Sequence, residues 1–141
     1  LHSRCEIYLE KYAKQINIEG SIALEMARTQ VYPAALLYAG RLASALVSMG
    51  SADPGLDLGM HTSQLEKLTS RLSALKEASD QLEHALSHAT AEEGVHPCAI
   101  LYREAVMPAM TEVREAVDAL EALVPKQDWP FPSYEELLFR L

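Results

Sequence analysis

The chain of 141 residues carries 12 Lys and Arg against 20 Asp and Glu, a net charge of −8. Its length predicts one domain, over residues 1–141, and its acidic balance argues against nucleic acid and anionic membrane surfaces as partners. Cys5 and Cys98 have no neighbouring cysteine, which predicts two free thiols in a reducing compartment. We find no run of about 20 apolar residues and no signal-peptide pattern, so no membrane-spanning helix is expected.

A long first helix with interruptions is predicted over residues 3–49. Apolar residues recur at helical spacing from Ile7 to Ile16 and again from Ile22 to Val47. Gly20 weakens the pattern. Pro33 lacks a backbone N–H donor, so we expect a kink close to it.

The beginning of this helix should extend past the other helices of a bundle. Only the part from about 22 to 49 matches them in length, so residues 3–19 should overhang the bundle or bend back. Their apolar face has no obvious partner, and it should therefore dock on another surface or cause self-association. This face comprises Ile7, Tyr8, Tyr12 and Ile16.

A second helix is predicted over residues 63–93, after a loop at 50–62. Ser63 and Glu66 have the spacing of a capping box, which marks the helix start. The helix then shows alternating steps of three and four, the pattern of a seam between packed helices. The seam positions are Leu65, Leu68, Leu72, Leu75, Ser79, Leu82, Leu86 and Ala89.

A third helix is predicted over residues 97–124, starting at Pro97 and bending near Pro108. No segment has the alternation and turn signals of β-strands. The sequence therefore predicts an all-α fold, an antiparallel three-helix bundle with a long kinked first helix and a short C-terminal helix.

The last segment, residues 125–141, combines aromatic residues with prolines in "DWPFPSYEELLFRL". Pro130 and Pro132 favour an extended backbone before them, so Trp129 and Phe131 should share one face. A short helix capped by Ser133 should follow. Its apolar stripe would consist of Tyr134, Leu137, Leu138 and Leu141. We expect this segment to dock on the domain itself, near the first helix, with a partner surface as the alternative.

No constellation of residues in the sequence predicts catalysis, cofactor binding or a metal site. His84 and His88 have the i, i+4 spacing of helical metal ligands, but the seam places them on the outer side. Glu93 and His96 have the spacing used in di-iron bundles, but this spacing occurs once and Gly94 interrupts it.

Three stretches together resemble the C-terminal region of type III glutamine synthetases. They are "EIYLEKYAKQINIEG" (6–20), "YPAALLYAGRLA" (32–43) and "LYREAVMPAMTEVREAVDALEALVPKQDWPFPSYEELLFRL" (101–141). The aromatic-proline ending is the most specific part. At Gly20 the family pattern leads us to expect a better helix former, which leaves the continuity of the helix open.

The resemblance implies a parent enzyme that ligates ammonia to glutamate with ATP and Mg²⁺, in cytoplasmic oligomers built from hexameric rings. Its catalytic residues would lie upstream, so the chain itself should be an inactive structural or interaction domain. Its partners would be its own catalytic domain and neighbouring subunits, and the terminal segment could dock on either. The alternative is an independent helical bundle that binds a partner or a metal.

Overall fold

The computed structural model describes residues 1–132, and this part of the chain forms helices joined by short connections, without a β-strand. The predicted all-α class is confirmed, and three helical rods pack side by side as a bundle. The short helix predicted after Ser133 lies outside the described residues. A 3₁₀ turn at Lys126–Asp128 is the last helical element before that point.

The first rod is one continuous helix of 51 residues. It consists of α1 (His2–Met26), a π-helical segment (Ala27–Val31) and α2 (Tyr32–Ala52). The interruption expected at Pro33 takes the form of the π-helical segment, in which the amide N–H of residue 32 bonds to a carbonyl five residues back. A proline ring collides with the carbonyl four residues earlier, and the wider π turn accommodates it without ending the helix.

The other two rods are α3 (Gly59–Ala91) and a helix built from α4 (Val95–Leu101), a second π-helical segment (Tyr102–Val106) and α5 (Met107–Glu121). The second π segment again comes just before a proline, Pro108, where a bend was predicted. The prolines in the middle of the first and third rods are thus accommodated in the same way.

The start of α3 differs from the prediction at Ser63. The helix begins at Gly59, and α2 continues past Gly50 to Ala52, so the predicted 50–62 loop shrinks to residues 53–58. The carboxylate of Asp57 accepts a hydrogen bond of 3.0 Å from the Gly59 amide. This local bond organises the turn, and Ser63 lies inside the helix rather than at its cap.

The seam predicted on α3 forms the centre of the core. Helix α3 contacts α1, α2, α4 and α5. Of the predicted seam positions, Leu65 is half-buried and the others are buried. The buried members are Leu68, Leu72, Leu75, Ser79, Leu82, Leu86 and Ala89.

The prediction that residues 3–19 overhang the bundle or bend back is wrong, because α3 and α4 both extend alongside α1. Ile16 is buried, and the Tyr12 hydroxyl lies 3.0 Å from the sulfur of Met107 on α5. The buried Tyr102 donates a hydrogen bond of 3.0 Å to Asn17, which ties α1 to the third rod. Part of the face that seemed to lack a partner is therefore internal.

Gly20 does not interrupt the first helix, contrary to the sequence pattern. Its backbone lies where α1 crosses α3 and α5, and a Cβ there would be 3.1 Å from Leu86 Cδ2 and 3.5 Å from Met110 Sδ. The glycine therefore permits close helix packing, which explains its presence inside a helix despite its low propensity.

We expect Gly20→Ala to lower the free energy of unfolding by about 1 kcal/mol, because overpacking at the crossing outweighs the gain in helix propensity. The matched control is Gly40→Ala on α2, where a Cβ would meet no atom within 4 Å. That change should raise stability by about 0.5–1 kcal/mol. Urea unfolding of both variants measures the difference, and equal stabilisation by the two would contradict the close approach at Gly20.

Candidate functional site

The segment after α5 is held against the bundle by its 3₁₀ turn. Asp128 in this turn forms an ion pair with Arg41 of α2. Trp129 has an extended backbone, as predicted for a residue before proline. Its ring packs edge-on against Phe131 with centroids 6.2 Å apart, and both rings are half-buried against the core.

A groove of about 480 Å³ lies between the first rod and α5. Phe131 borders it, together with three methionines, Met26, Met107 and Met110. Methionine side chains adapt to irregular apolar partners, so this lining suits apolar side chains. Charged residues also border the groove, and they are Glu19, Arg114 and Asp118.

A second apolar surface lies on the solvent side of α2. Leu36, Leu37 and Val47 are 51%, 66% and 71% exposed. Their spacing places them with the exposed Gly40 and Ser44 on one side of the helix. We call this surface, formed by Leu36, Leu37, Gly40, Ser44 and Val47, the α2 outer face. None of its five residues is charged, and Ser44 is the only one with a polar side chain.

By length and composition alone, the first rod could span a membrane, and only 17% of its most apolar stretch is buried. It is the one helix of this kind within residues 1–132. The sequence predicted no such helix, because it contains no run of about 20 apolar residues. The exposed apolar side chains of this helix include those that form the α2 outer face.

An ionic cluster joins the first rod to α3. Arg28 contacts Asp80 at 2.9 Å and Glu83 at 2.8 Å, and Lys76 contacts Asp80 at 2.8 Å. Hydrogen bonds from Lys76 and Arg28 lower the pKa of Asp80, and the hydrogen bond from Arg28 lowers the pKa of Glu83. These carboxylates are solvent-exposed and remain ionised as partners of cations, which gives them a structural role rather than that of a proton acceptor.

The cysteines are free thiols, as predicted. The Cys98 thiol donates a weak hydrogen bond to the Ala89 carbonyl at 3.4 Å. Burial raises the pKa of the Cys98 thiol, with a smaller contribution from Glu92. A raised pKa disfavours the thiolate, which is the nucleophilic form of a cysteine.

His84 and His88 lie on the exposed side of α3, with stacked rings 6.5 Å apart. Within the described part of the chain, no group of three or more His, Cys, Asp or Glu residues is arranged to hold a metal ion.

The structure separates the residues that the sequence predicted as a docking surface. Tyr8 is 68% exposed, whereas Tyr12 contacts the third rod through Met107. Trp129 and Phe131 lie together, and Phe131 borders the groove. The remaining predicted residues, Tyr134, Leu137 and Leu138, lie outside the described part.

Sequence reasoning missed the α2 outer face. The available signal was that apolar residues of α2 occur on all sides of the helix, whereas a helix at the surface of a bundle normally has one apolar stripe. The helical pattern of the sequence includes both Leu36 and Leu37, although two adjacent residues point about 100° apart on a helix.

Comparison with known proteins identifies the family of this chain. A family model described as the glutamine synthetase C-terminal domain matches residues 1–50. The chain is 31% identical over 146 residues to the type-3 glutamine synthetase of Dictyostelium discoideum. It is 29% identical to the glutamine synthetases of Bacteroides fragilis, over 143 residues, and Butyrivibrio fibrisolvens, over 141 residues. These matches cover 99–100% of this chain and 20% of each relative, so the chain spans about a fifth of their length. The chain therefore belongs to the glutamine synthetase family, as a homologue of the type III enzymes that corresponds to their C-terminal domain.

Proposed function

We propose that this chain is a structural and interaction domain of a type III glutamine synthetase and carries no catalytic residues itself. The parent enzyme would be a cytoplasmic homo-oligomer that ligates ammonia to glutamate with ATP and Mg²⁺. One observation carries the proposal: the similarity extends over the whole chain but covers only 20% of each relative. The chemistry would then belong to the other four-fifths of the enzyme.

The α2 outer face is the surface that we assign to contact with the rest of the enzyme polypeptide. It extends from Leu36 to Val47, or about 16 Å along the helix. An uncharged, largely apolar surface of this kind is typical of an interface core. Its small residues, Gly40 and Ser44, would let another backbone approach closely. We choose the rest of the same polypeptide as the occupant because in the relatives it is about four times as long as this domain.

The catalytic part of the proposal is tested by incubating the purified chain with glutamate, ammonia, ATP and Mg²⁺. We expect no glutamine and no phosphate release, because ligation through an acyl phosphate needs metal ligands and a clamp for the phosphates. The glutamine synthetase of Bacteroides fragilis under the same conditions is the positive control. Glutamine formation that co-purifies with the 141-residue chain through successive columns would overturn the assignment.

A further inference from the structure

We propose that the groove between the first rod and α5 is the docking site for the C-terminal residues of this same chain, 133–141. The apolar stripe of this segment, with Leu137 and Leu138 at its centre, would contact the methionines of the groove. This docking is a property of the chain alone and does not depend on the function proposed above.

The path of the described chain brings the segment to the groove. The ion pair between Asp128 and Arg41 fixes the 3₁₀ turn against α2. From there the chain runs past Trp129 to Phe131, whose side chain already borders the groove. Residue 133 follows two positions later, so at about 3.3 Å per extended residue it lies within about 7 Å of Phe131. The segment therefore begins close enough to the groove to enter it directly.

The size and chemistry of the groove match those of the segment. Nine residues in a helix would extend about 13 Å, and their stripe would present one tyrosine and three leucines. A volume of about 480 Å³ is in the range of pockets that accept small ligands. It has room for a few apolar side chains and not for a whole helix. Met26, Met107 and Met110 provide adaptable apolar surface for them.

The charges beside the groove also complement the segment. Arg114 lies at the groove, and the segment carries Glu135 and Glu136 near its start. Acidic residues of α1 and α5 lie at the groove as well, and Arg140 is near the end of the segment. Opposite charges at the rim of an apolar contact favour one orientation of the bound segment over others.

Methionine-methyl NMR tests the proposal, because the chain has five methionines and three of them line the groove. Spectra of the full chain are compared with those of a chain that ends at Pro132. On truncation, we expect the methyl signals of Met26, Met107 and Met110 to shift and to become more accessible to a soluble paramagnetic probe. Met49 and Met60 do not line the groove, and their unchanged signals would show that the truncated chain keeps its fold.

Point variants of the full chain provide a second, independent comparison. Leu138→Asp introduces a charge into the apolar stripe and should reproduce the shifts caused by truncation. Phe139→Ser is the matched control, because helical spacing places residue 139 off the stripe, and it should leave the groove signals unchanged. A synthetic peptide of residues 133–141, added to the truncated chain, should restore the signals of the full chain.

Two results would overturn the proposal. If the signals of Met26, Met107 and Met110 are the same with and without residues 133–141, the segment does not occupy the groove. If the shifts depend on protein concentration and light scattering shows a dimer, the groove is filled by a second copy of the chain instead.

Discussion

Leu75→Ala is expected to lower the free energy of unfolding by about 3–5 kcal/mol, the upper part of the range for a buried leucine. Leu75 has 0% exposure and lies in the middle of α3, the helix that the other helices contact. Truncating it removes apolar contacts and leaves a cavity that the surrounding helices can fill only in part. Urea unfolding followed by circular dichroism measures the effect.

Leu37→Ala provides the matched control for this loss. It makes the same chemical change within a helix, but at a position that is 66% exposed. Alanine also has the higher helix propensity, so the unfolding free energy should change by less than about 0.5 kcal/mol. A similar loss of stability in both variants would mean that the isolated chain buries Leu37, for example between two copies.

The central helix could be predicted from the sequence because its signal is local. Leu68, Leu72, Leu75 and Leu82 follow the three-four spacing that only a helix places on one side, and these leucines are buried. The three-four spacing depends on neighbouring residues alone, so no knowledge of the rest of the fold was needed to recognise it.

The start of this helix was harder to predict than its buried face. Ser63 and Glu66 have the spacing of a capping box, yet the turn is organised earlier, where Asp57 accepts a hydrogen bond from Gly59. The Thr62 amide already donates a helical hydrogen bond of 2.9 Å to the Leu58 carbonyl. The helix is therefore established before Ser63 is reached, and a side-chain cap at Ser63 has no free amide to satisfy.

The features that the sequence did not predict depend on contacts between distant residues. Gly20 suggests a weak point in a helix, and only its closeness to Leu86 explains why a glycine is placed there. Tyr12 seemed to be free for docking because its partner, Met107, lies 95 residues further along the chain. Prolines indicated where the long helices would deform, but they did not indicate that the deformation would be a π-helical segment.

The candidate interaction surfaces were predictable only in part. The aromatic-proline motif predicts that Trp129 and Phe131 pack against another surface, and both rings are half-buried against the core. The α2 outer face could not be separated from the core stripe without knowing which side of α2 the bundle covers. Helical periodicity defines faces, and only the packing decides which of them stays exposed.

The second large effect is expected at this face, where Leu37→Asp should strongly weaken the contact that we propose with the rest of a parent enzyme. A carboxylate at the centre of an apolar interface loses its hydration without gaining a partner. We expect the affinity to fall by a factor of about 100 or more, the size of effect seen at central interface residues. The isolated variant should fold normally, because Leu37 is exposed in the domain itself.

The most direct measurement of the proposed contact is the binding of the separate chain to the proposed parent enzyme made without this domain, followed by calorimetry. The account predicts that the wild-type chain and the control variant Met60→Asp bind alike, since Met60 is exposed and lies outside the α2 outer face. It predicts that Leu37→Asp binds at least about 100-fold more weakly. Equal binding of Leu37→Asp and the wild-type chain, or no binding of the wild-type chain, would contradict the account.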